Sequence, residues 1–186
     1  MSTSGAKKPL ALAAALLGAV SLTLVAPSAA HAAAPPCVNA DLKASFRVLG
    51  SGMSQTYANL VLTNVSGHAC TTGGYGGLSY VGHGNGTQIG RAARRDKSPA
   101  PRVVTVPPGG RVVSRVDMVS TGPYDKKVCR PTKVDGLRVY VPNSHVSQFV
   151  PVTSWKLAKH TTVTTWSACA NRRLRTLSHE AYRLAK

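Results

Sequence analysis

The sequence predicts an all-β protein, a small antiparallel β-sandwich with two disulfides. Short segments with strand patterns recur along the chain, with turn signals about every eight to twelve residues, as is typical of sandwiches. No long stretch of helical periodicity interrupts them, and 17 Gly and 12 Pro argue against a helical bundle. The chain contains four well-separated cysteines, and its 186 residues suit one compact domain.

The N-terminal segment has the features of a cleaved signal peptide, which we assign to residues 1–32. Two lysines (7–8) precede an apolar run (10–26), Pro27 ends that run, and residues 30–32 provide an Ala-x-Ala cleavage pattern. A transmembrane anchor is the alternative, but about 17 residues lie at the lower limit for spanning a bilayer. We therefore expect an exported protein with no transmembrane anchor after cleavage.

The four cysteines are expected to form disulfides. Cys37, Cys70, Cys129 and Cys169 are 33, 59 and 40 residues apart, unlike the closely spaced cysteine pairs of most zinc sites. In an exported protein, an even number of separated cysteines indicates two disulfides. Cys37 follows two prolines rather than a small residue, so we do not expect it to carry a lipid.

The first two predicted strands suggest how the first cysteines pair. Residues 41–49 and 56–63 have strand patterns and flank a turn at 50–52. Alternation along the first strand places Leu42, Ala44, Phe46 and Val48 on one face and Lys43, Ser45 and Arg47 on the other. Folding the strands about the turn brings Cys37 close to Cys70, so we prefer a Cys37–Cys70 disulfide.

The remaining segments continue the β pattern. Strands are predicted at residues 78–81, 103–106, 112–119, 137–141, 146–152, 161–166 and 174–177, with turns at 82–86, 107–110 and 142–145. By the same fold-back argument, Cys129 precedes one arm of a late hairpin and Cys169 follows the other, which favours a Cys129–Cys169 disulfide. The nested pairing, Cys37–Cys169 with Cys70–Cys129, is the alternative.

Several motifs, in this order along the chain, resemble a known family. They are Thr63-Asn64-Val65-Ser66-Gly67 with Cys70, Gly74-Tyr75-Gly76-Gly77, Val106-Pro107-Pro108-Gly109, Cys129-Arg130-Pro131 and Gly136-Leu137-Arg138-Val139-Tyr140-Val141-Pro142. The chain resembles domain of unknown function family 4232 from Cys37 to Leu177. The resemblance implies an immunoglobulin-like sandwich and a place among secreted proteins and lipoproteins of high-GC Gram-positive bacteria. It implies no catalytic residue, because the family has no established activity.

The resemblance also sets the expected domain limits. A β-sandwich domain is expected at residues 33–177, followed by a basic C-terminal tail at 178–186. Two departures from the family pattern stand out. Gly76 occupies a position that usually carries Pro, which predicts a looser turn, and the run at 172–175 is more basic than the pattern.

The residues that could carry chemistry do not form a recognisable catalytic, cofactor or metal motif. A hydrolase would need two carboxylates to converge, and Asp117, Asp125 and Asp135 are the candidates. The histidines lack metal-ligand spacing, and no G-x-S-x-G motif occurs. The glycine-rich run at 82–86 is interpreted as a hairpin turn. We therefore expect a protein that is not an enzyme.

The charge is the extreme feature of the composition. The formal net charge is +17, and without residues 1–32 it is +15, from 21 basic and 6 acidic residues. The expected polyanion contacts are Arg91, Arg94, Arg95, Arg102, Arg172, Arg173 and Arg175. Such charge predicts attraction to anionic cell-wall polymers or acidic glycans outside the cell. Specific nucleic-acid binding is not expected, because aromatics are only 5% and none interleaves with the arginines.

Two alternatives to polyanion binding are kept. In the first, the protein is a secreted inhibitor or protein-partner module that presents the segment 73–90 as a loop. In the second, the high net charge serves only to keep an extracellular protein soluble.

Overall fold

The computed structural model describes residues 1–2, 5, 33–157 and 162–185. The predicted signal peptide at 1–32 lies outside the described residues, apart from residues 1, 2 and 5. The unit that begins at Ala33 contains all the strands described below. It is an all-β structure with several sheets and two disulfides, as the sequence predicts.

The described residues form fourteen strands, one short helix and one 3₁₀ turn. In chain order the elements are β1 (Leu42–Gly52), β2 (Gln55–Asn64), β3 (Cys70–Gly73), β4 (Gly77–Gly82), β5 (Thr87–Ile89), β6 (Arg94–Arg95), β7 (Val103–Val106), β8 (Arg111–Val119), α1 (Lys126–Cys129), β9 (Pro131–Lys133), β10 (Gly136–Tyr140), β11 (Ser147–Pro151), the 3₁₀ turn (Val152–Ser154), β12 (Ser167–Cys169), β13 (Leu177–His179) and β14 (Arg183–Leu184).

Two sheets make up most of the structure. The six-stranded sheet has the order β1-β2-β8-β13-β6, with β14 paired to β8 as well, and the four-stranded sheet has the order β11-β10-β4-β5. The strands β3 with β7 and β9 with β12 form two smaller pairs. Buried side chains from both larger sheets belong to one hydrophobic cluster.

Trp155 connects the two larger sheets within that cluster. It follows β11 and is fully buried, with its ring 4.7 Å from that of Phe46 on β1 and 5.8 Å from that of Trp166. Its indole Nε1–H donates to the Val150 carbonyl at 3.3 Å, so the polar atom of this large side chain is satisfied.

The Gln148 side chain joins the edge strand β11 to the start of β1. Its Oε1 accepts the Ala44 N–H at 2.8 Å, while its Nε2 donates to the Leu42 carbonyl and to Asn39 Oδ1. One side-chain amide thus takes the role of a strand partner between the sheets, and it covers backbone groups that an edge strand leaves free.

Asn64 organises the end of β2. Its Nδ2 donates to the carbonyls of His68 and Val106, each at 2.9 Å, and its Oδ1 accepts the Ser66 N–H at 2.9 Å. Its backbone also bonds with the β7–β8 turn, donating to the Gly110 carbonyl and accepting from the Gly109 N–H. This buried amide therefore connects two of the sequence motifs that carry the family resemblance.

The disulfides are Cys37–Cys70 and Cys129–Cys169, with Cα atoms 4.9 and 4.6 Å apart. These are the pairs preferred from the fold-back of the strands. Cys70 opens β3, whereas Cys129 ends α1 and Cys169 ends β12. Each bond therefore fastens a segment of short strands that makes few hydrogen bonds to the larger sheets.

The early hairpin differs from the sequence prediction at its turn. The predicted turn at 50–52 belongs to β1, whose register shifts between Val48 and Gly50, and the chain reverses at Met53 and Ser54. Both turn residues have positive φ, 50° and 64°, as in a two-residue type I′ hairpin. Leu49 is unpaired at the register shift, so Gly50 adjoins a bulge in the strand, whereas Gly52 pairs with Gln55 beside the turn.

The C-terminal prediction differs more. Of the strand predicted at 161–166, residue 161 lies outside the described residues, and the described part contains only a bridge from Thr162 to Lys156. The strand predicted at 174–177 is displaced to β13, and the expected tail at 178–186 contains the rest of β13 and β14. Both strands pair with β8 because its second edge would otherwise be open.

The sequence predicts a fully antiparallel sandwich, and among the strands of the described residues one short pairing departs from this. β13 pairs with β6 in parallel, through Ser178 with Arg94 and His179 with Arg95. A long connection separates the two strands along the chain, and such a connection permits parallel pairing. The looser turn predicted at Gly76 does not occur, because Gly76 is buried. A Cβ atom added at this position would overlap the Tyr140 carbonyl oxygen.

Replacing the buried side-chain amide of Asn64 should destabilise the fold. In Asn64→Leu the carbonyls of His68 and Val106 lose their donors, and we expect the free energy of unfolding to fall by roughly 3–5 kcal/mol. Urea denaturation measures this value. Asn59→Leu is the control on the same strand and should change it by less than about 1 kcal/mol. Equal effects in the two variants would contradict the role given to Asn64.

Candidate functional site

Four cations form a rectangle on the outer face of the six-stranded sheet. Lys43 and Arg47 lie on β1, and Arg111 and Arg115 lie on β8, with β2 between them. The register places Lys43, Thr63 and Arg111 in one row across the strands, and Arg47, Asn59 and Arg115 in another.

The strand geometry gives the size of this rectangle. Cations in one row are two strands apart, or about 10 Å, and cations on one strand are four residues apart, or about 13 Å. All four side chains are exposed, and they point away from the core because the alternate residues on each strand are buried. We call these four residues, with Lys156 and Arg183 at the margins, the basic face.

The basic face contains two adjoining depressions. One, of about 630 Å³, is lined by Arg47, Arg111 and Arg183 together with apolar atoms of Val61 and Val113. The other, of about 400 Å³, shares Arg47, Val61 and Arg111 and adds Lys156. A bound chain could therefore lie along the face between guanidinium groups and rest on aliphatic surface.

Two acidic groups beside this sheet form ion pairs with arginines outside the rectangle. Glu180 pairs with Arg183 at 3.0 Å, and Asp96 pairs with Arg94 at 2.7 Å. In the described part of the chain, no ion pair involves the four cations of the rectangle. The charges of Lys43, Arg47 and Arg111 are therefore available to an external anion, whereas Arg115 has the Asp117 carboxylate as a neighbour.

Asp117 is the carboxylate nearest to the rectangle on β8. Desolvation by burial raises the pKa of its carboxyl, the neighbouring Arg115 opposes this rise, and Asp96 adds to it. Arg115 also lies over the Tyr57 ring, with its guanidinium carbon 5.2 Å from the ring centroid. The ring therefore holds this cation beside the depression.

The structure places the arginines that were expected to contact polyanions outside the rectangle of cations. Arg94 lies on the sheet in its ion pair, and the Arg95 guanidinium lies 5.8 Å from the Tyr75 ring centroid. The others are exposed outside the strands, Arg91 before β6, Arg102 before β7, and Arg172, Arg173 and Arg175 between β12 and β13.

The sequence analysis missed the basic face because it grouped basic residues by adjacency. Residues four apart on a strand share a face, yet Lys43 and Arg47, or Arg111 and Arg115, do not form a run in the sequence. The alternation recognised at 41–49 was the available signal, since it already placed Lys43 and Arg47 on one face. That β8 lies beside β2, and so places Arg111 and Arg115 on the same face, could not be derived from it.

The three candidate carboxylates have separate local roles. Asp125 caps α1 by accepting the N–H groups of Lys127 and Val128, and Asp135 Oδ2 accepts the Gly84 N–H at 2.7 Å. Asp117 lies on the six-stranded sheet instead. The contacts of the described residues therefore give no support to a hydrolase built from two of them.

The histidines give no metal site in the described residues, where no group of three potential ligands occurs. His179 and Ser114 form a buried pair, with Nδ1 and Oγ 3.2 Å apart. Ser114 donates its hydroxyl proton to the Glu180 carbonyl at 2.6 Å, and the side chain has no exposed surface. This pair therefore stabilises the β8–β13 contact and does not present a nucleophile.

The segment 73–90 is not one free loop. It contains β4, β5 and the end of β3, and its tip at residues 83–86 is a turn with positive φ at His83, Gly84 and Gly86. Asp135 binds this turn at Gly84, and Arg138 donates to the Gly86 carbonyl. The alternative of a presented loop therefore applies to a turn that is held in place.

A family model decides the relationship of this chain to known proteins. The model for a domain of unknown function, DUF4232, matches residues 37–167. The chain belongs to the DUF4232 family. The resemblance inferred from the motifs is thereby confirmed. No curated protein and no solved structure matches the chain significantly.

Two properties of this DUF4232 protein bear on its location. It has two disulfides, which persist in oxidising compartments and are therefore consistent with an extracellular protein. Within residues 33–157 and 162–185, none of the helices is long and apolar enough to cross a membrane.

The buried histidine should give the protein a measurable sensitivity to acid. Burial lowers the pKa of His179 to about 4, and the Arg95 charge adds to this, while the Glu180 backbone and Asp96 oppose it. Protonation therefore favours the unfolded chain, in which the histidine has its ordinary pKa. We expect the free energy of unfolding to decline by up to about 3 kcal/mol as pH falls from about 6.5 towards 4.

Denaturant titrations at several pH values measure this decline. The decline in the free energy of unfolding should be smaller in His179→Gln, which removes the buried histidine. It should be as large as in the native protein in His145→Gln, which removes an exposed histidine. An unchanged profile in His179→Gln would contradict the assignment.

Proposed function

We propose that this DUF4232 protein is an exported, non-catalytic binding module that attaches to anionic polymers outside the cell through its basic face. The observation that carries the proposal is the rectangle of exposed cations on β1 and β8. Four cations at spacings of about 10 and 13 Å can contact several anionic groups of one chain at once. A repeated anion gains from such simultaneous contacts more than a small anion does.

The electrostatics favour a polymer of repeated negative charge. The net charge of +15 that remains without residues 1–32 attracts anions at a distance, and the four cations of the rectangle concentrate that field on one surface. Strong screening by salt is expected because these side chains are exposed. Anionic cell-wall polymers and acidic glycans have the required chemistry.

Nucleic acid is a weaker candidate partner. Binding of single strands uses aromatic side chains on which bases stack. On the basic face one side of the Tyr57 ring is already in contact with Arg115. A polymer that offers charge without stacking bases fits this surface better.

Export rests on the sequence and on the disulfides. The residues at 1–32 have a signal-peptide pattern, and the two disulfides suit an oxidising compartment. The family resemblance adds an origin in high-GC Gram-positive bacteria. Together these features support a secreted or cell-wall-associated protein.

Neutralising the basic face should abolish most of the binding to cell walls. In the variant with Lys43, Arg47, Arg111 and Arg115 changed to Gln, we expect at least tenfold weaker retention on walls at physiological salt. The slope of log affinity against log salt should fall by about 3, because each cation that binds a polymer phosphate releases about one counterion. Sedimentation with intact walls and with walls stripped of teichoic polymers measures both quantities.

The control removes the same charge from the loops, by changing Arg91, Arg102, Arg172 and Arg173 to Gln. It should bind within threefold of the native protein, with almost the same salt slope, and both variants should keep the native melting temperature within a few degrees. Equal losses in the two variants would mean that net charge alone causes retention. Native retention in the basic-face variant would reject the proposal.

A further inference from the structure

A second concave site lies on the outer face of the four-stranded sheet. It has a volume of about 570 Å³, within the range of about 300–1,000 Å³ typical of small-ligand pockets. Its walls include the turn at 84–86, Asp135, Arg138 and Phe149, and Val81 contributes apolar surface. It shares no lining residue with the depressions of the basic face.

Strand register places an aromatic ring beside a guanidinium group in this pocket. Arg138 on β10 is directly opposite Phe149 on β11, so the two side chains project from the same face as neighbours. Phe149 is 57% exposed, so its ring is accessible to a ligand. Gly136 lies on the same face, and a Cβ atom added to it would overlap the Phe149 ring. The ring therefore packs against the backbone of Gly136.

Two hydrogen bonds fix the charged groups before any ligand arrives. Asp135 Oδ2 accepts the Gly84 N–H at 2.7 Å, and Arg138 Nη2 donates to the Gly86 carbonyl. Each group keeps further hydrogen-bonding capacity, because a carboxylate has a second oxygen and a guanidinium has five N–H donors. The pocket thus offers a fixed acceptor and fixed donors beside a flat apolar ring.

The charge balance of the pocket indicates the class of ligand. One carboxylate and one guanidinium line it, so it has no excess of positive charge, in contrast to the basic face. A polyanion has no preference for such a site. The ligand that uses all its features has a flat apolar face for Phe149 and peripheral groups that both donate and accept hydrogen bonds.

We propose that this pocket binds a single neutral sugar residue of a glycan. The C–H face of a pyranose ring suits the Phe149 ring, and its hydroxyls suit the carboxylate of Asp135 and the guanidinium of Arg138. Peptide binding by strand addition is less suited to this side. The nearby edge of β11 is tied to β1 through Gln148, which accepts the Ala44 N–H.

This second site is independent of the basic face. A protein with both sites would bind anionic groups of a polymer at the six-stranded sheet and a sugar residue at the four-stranded sheet. Loss of sugar binding would leave polyanion retention unchanged, and loss of retention would leave sugar binding unchanged. The two proposals can therefore fail separately.

Titration of the isotope-labelled protein with neutral trisaccharides tests the site. The probes are cellotriose, maltotriose, mannotriose and triacetylchitotriose, and the readout is the amide spectrum, in which glycine signals are well resolved. We expect at least one of these sugars to shift the amides of Gly84, Gly86 and Gly136 in a saturable manner that high salt does not abolish.

Variants at Phe149 connect the shifts to the ring. Phe149→Ala should weaken the affinity at least tenfold, Phe149→Tyr should retain it, and Val103→Ala, which removes exposed apolar surface from β7, should not alter it. Thermal melting checks that each variant is folded. Absence of shifts with all four sugars would overturn the proposal. Stronger saturable shifts at these amides with triglycine or polyphosphate would also overturn it, in favour of a peptide or an anion.

Discussion

The register of β1, β2 and β8 is the constraint on which both the core and the basic face depend. In each of these strands the alternate residues are buried, as Phe46, Leu60 and Val116 illustrate. On β1 and β8 the four cations occupy positions of the opposite, outer face. A slip of one residue in either pairing would bring arginines into the core and expose the apolar side chains. The stability of the core therefore fixes the positions of the charges.

The sequence motifs of the family mainly serve this architecture. Asn64, in the first motif, binds the turn that follows Val106, in the third. Gly76, in the second, lies against the Tyr140 carbonyl, in the last, where a side chain would not fit without movement. Four of the five motifs thus meet in two pairs and hold segments distant in sequence. Recognising the family therefore identifies the fold more directly than the ligand.

The central strands could be predicted from the sequence because local signals agree there. Alternation at 41–49 and the proline-glycine turn at 107–110 lie in or beside long strands. Folding 41–49 back on 56–63 also favoured the Cys37–Cys70 disulfide that the structure shows. The C-terminal region could not be predicted in this way. β13 and β14 have only three and two residues, and they are strands because the second edge of β8 accepts them.

The candidate sites could be predicted less well than the fold. The polyanion contacts were predicted where arginines are close together in the sequence. The four cations of the rectangle are separated by up to about 70 positions in sequence. The sugar pocket likewise needs Arg138 opposite Phe149 and the turn at 83–86 beside Asp135. Both sites depend on strand neighbours, and pattern analysis of single strands contains no information about neighbours.

The central claim is that a polyanion contacts the protein through the outer face of the six-stranded sheet. The most direct measurement is the map of amide signals that shift when a glycerol-phosphate polymer is added at low salt. We expect the shifted signals to cluster on β1, β2 and β8 around Arg47, Asn59 and Arg115. Shifts confined to the loops at 91–102 and 172–175, or spread evenly over the surface, would contradict the account.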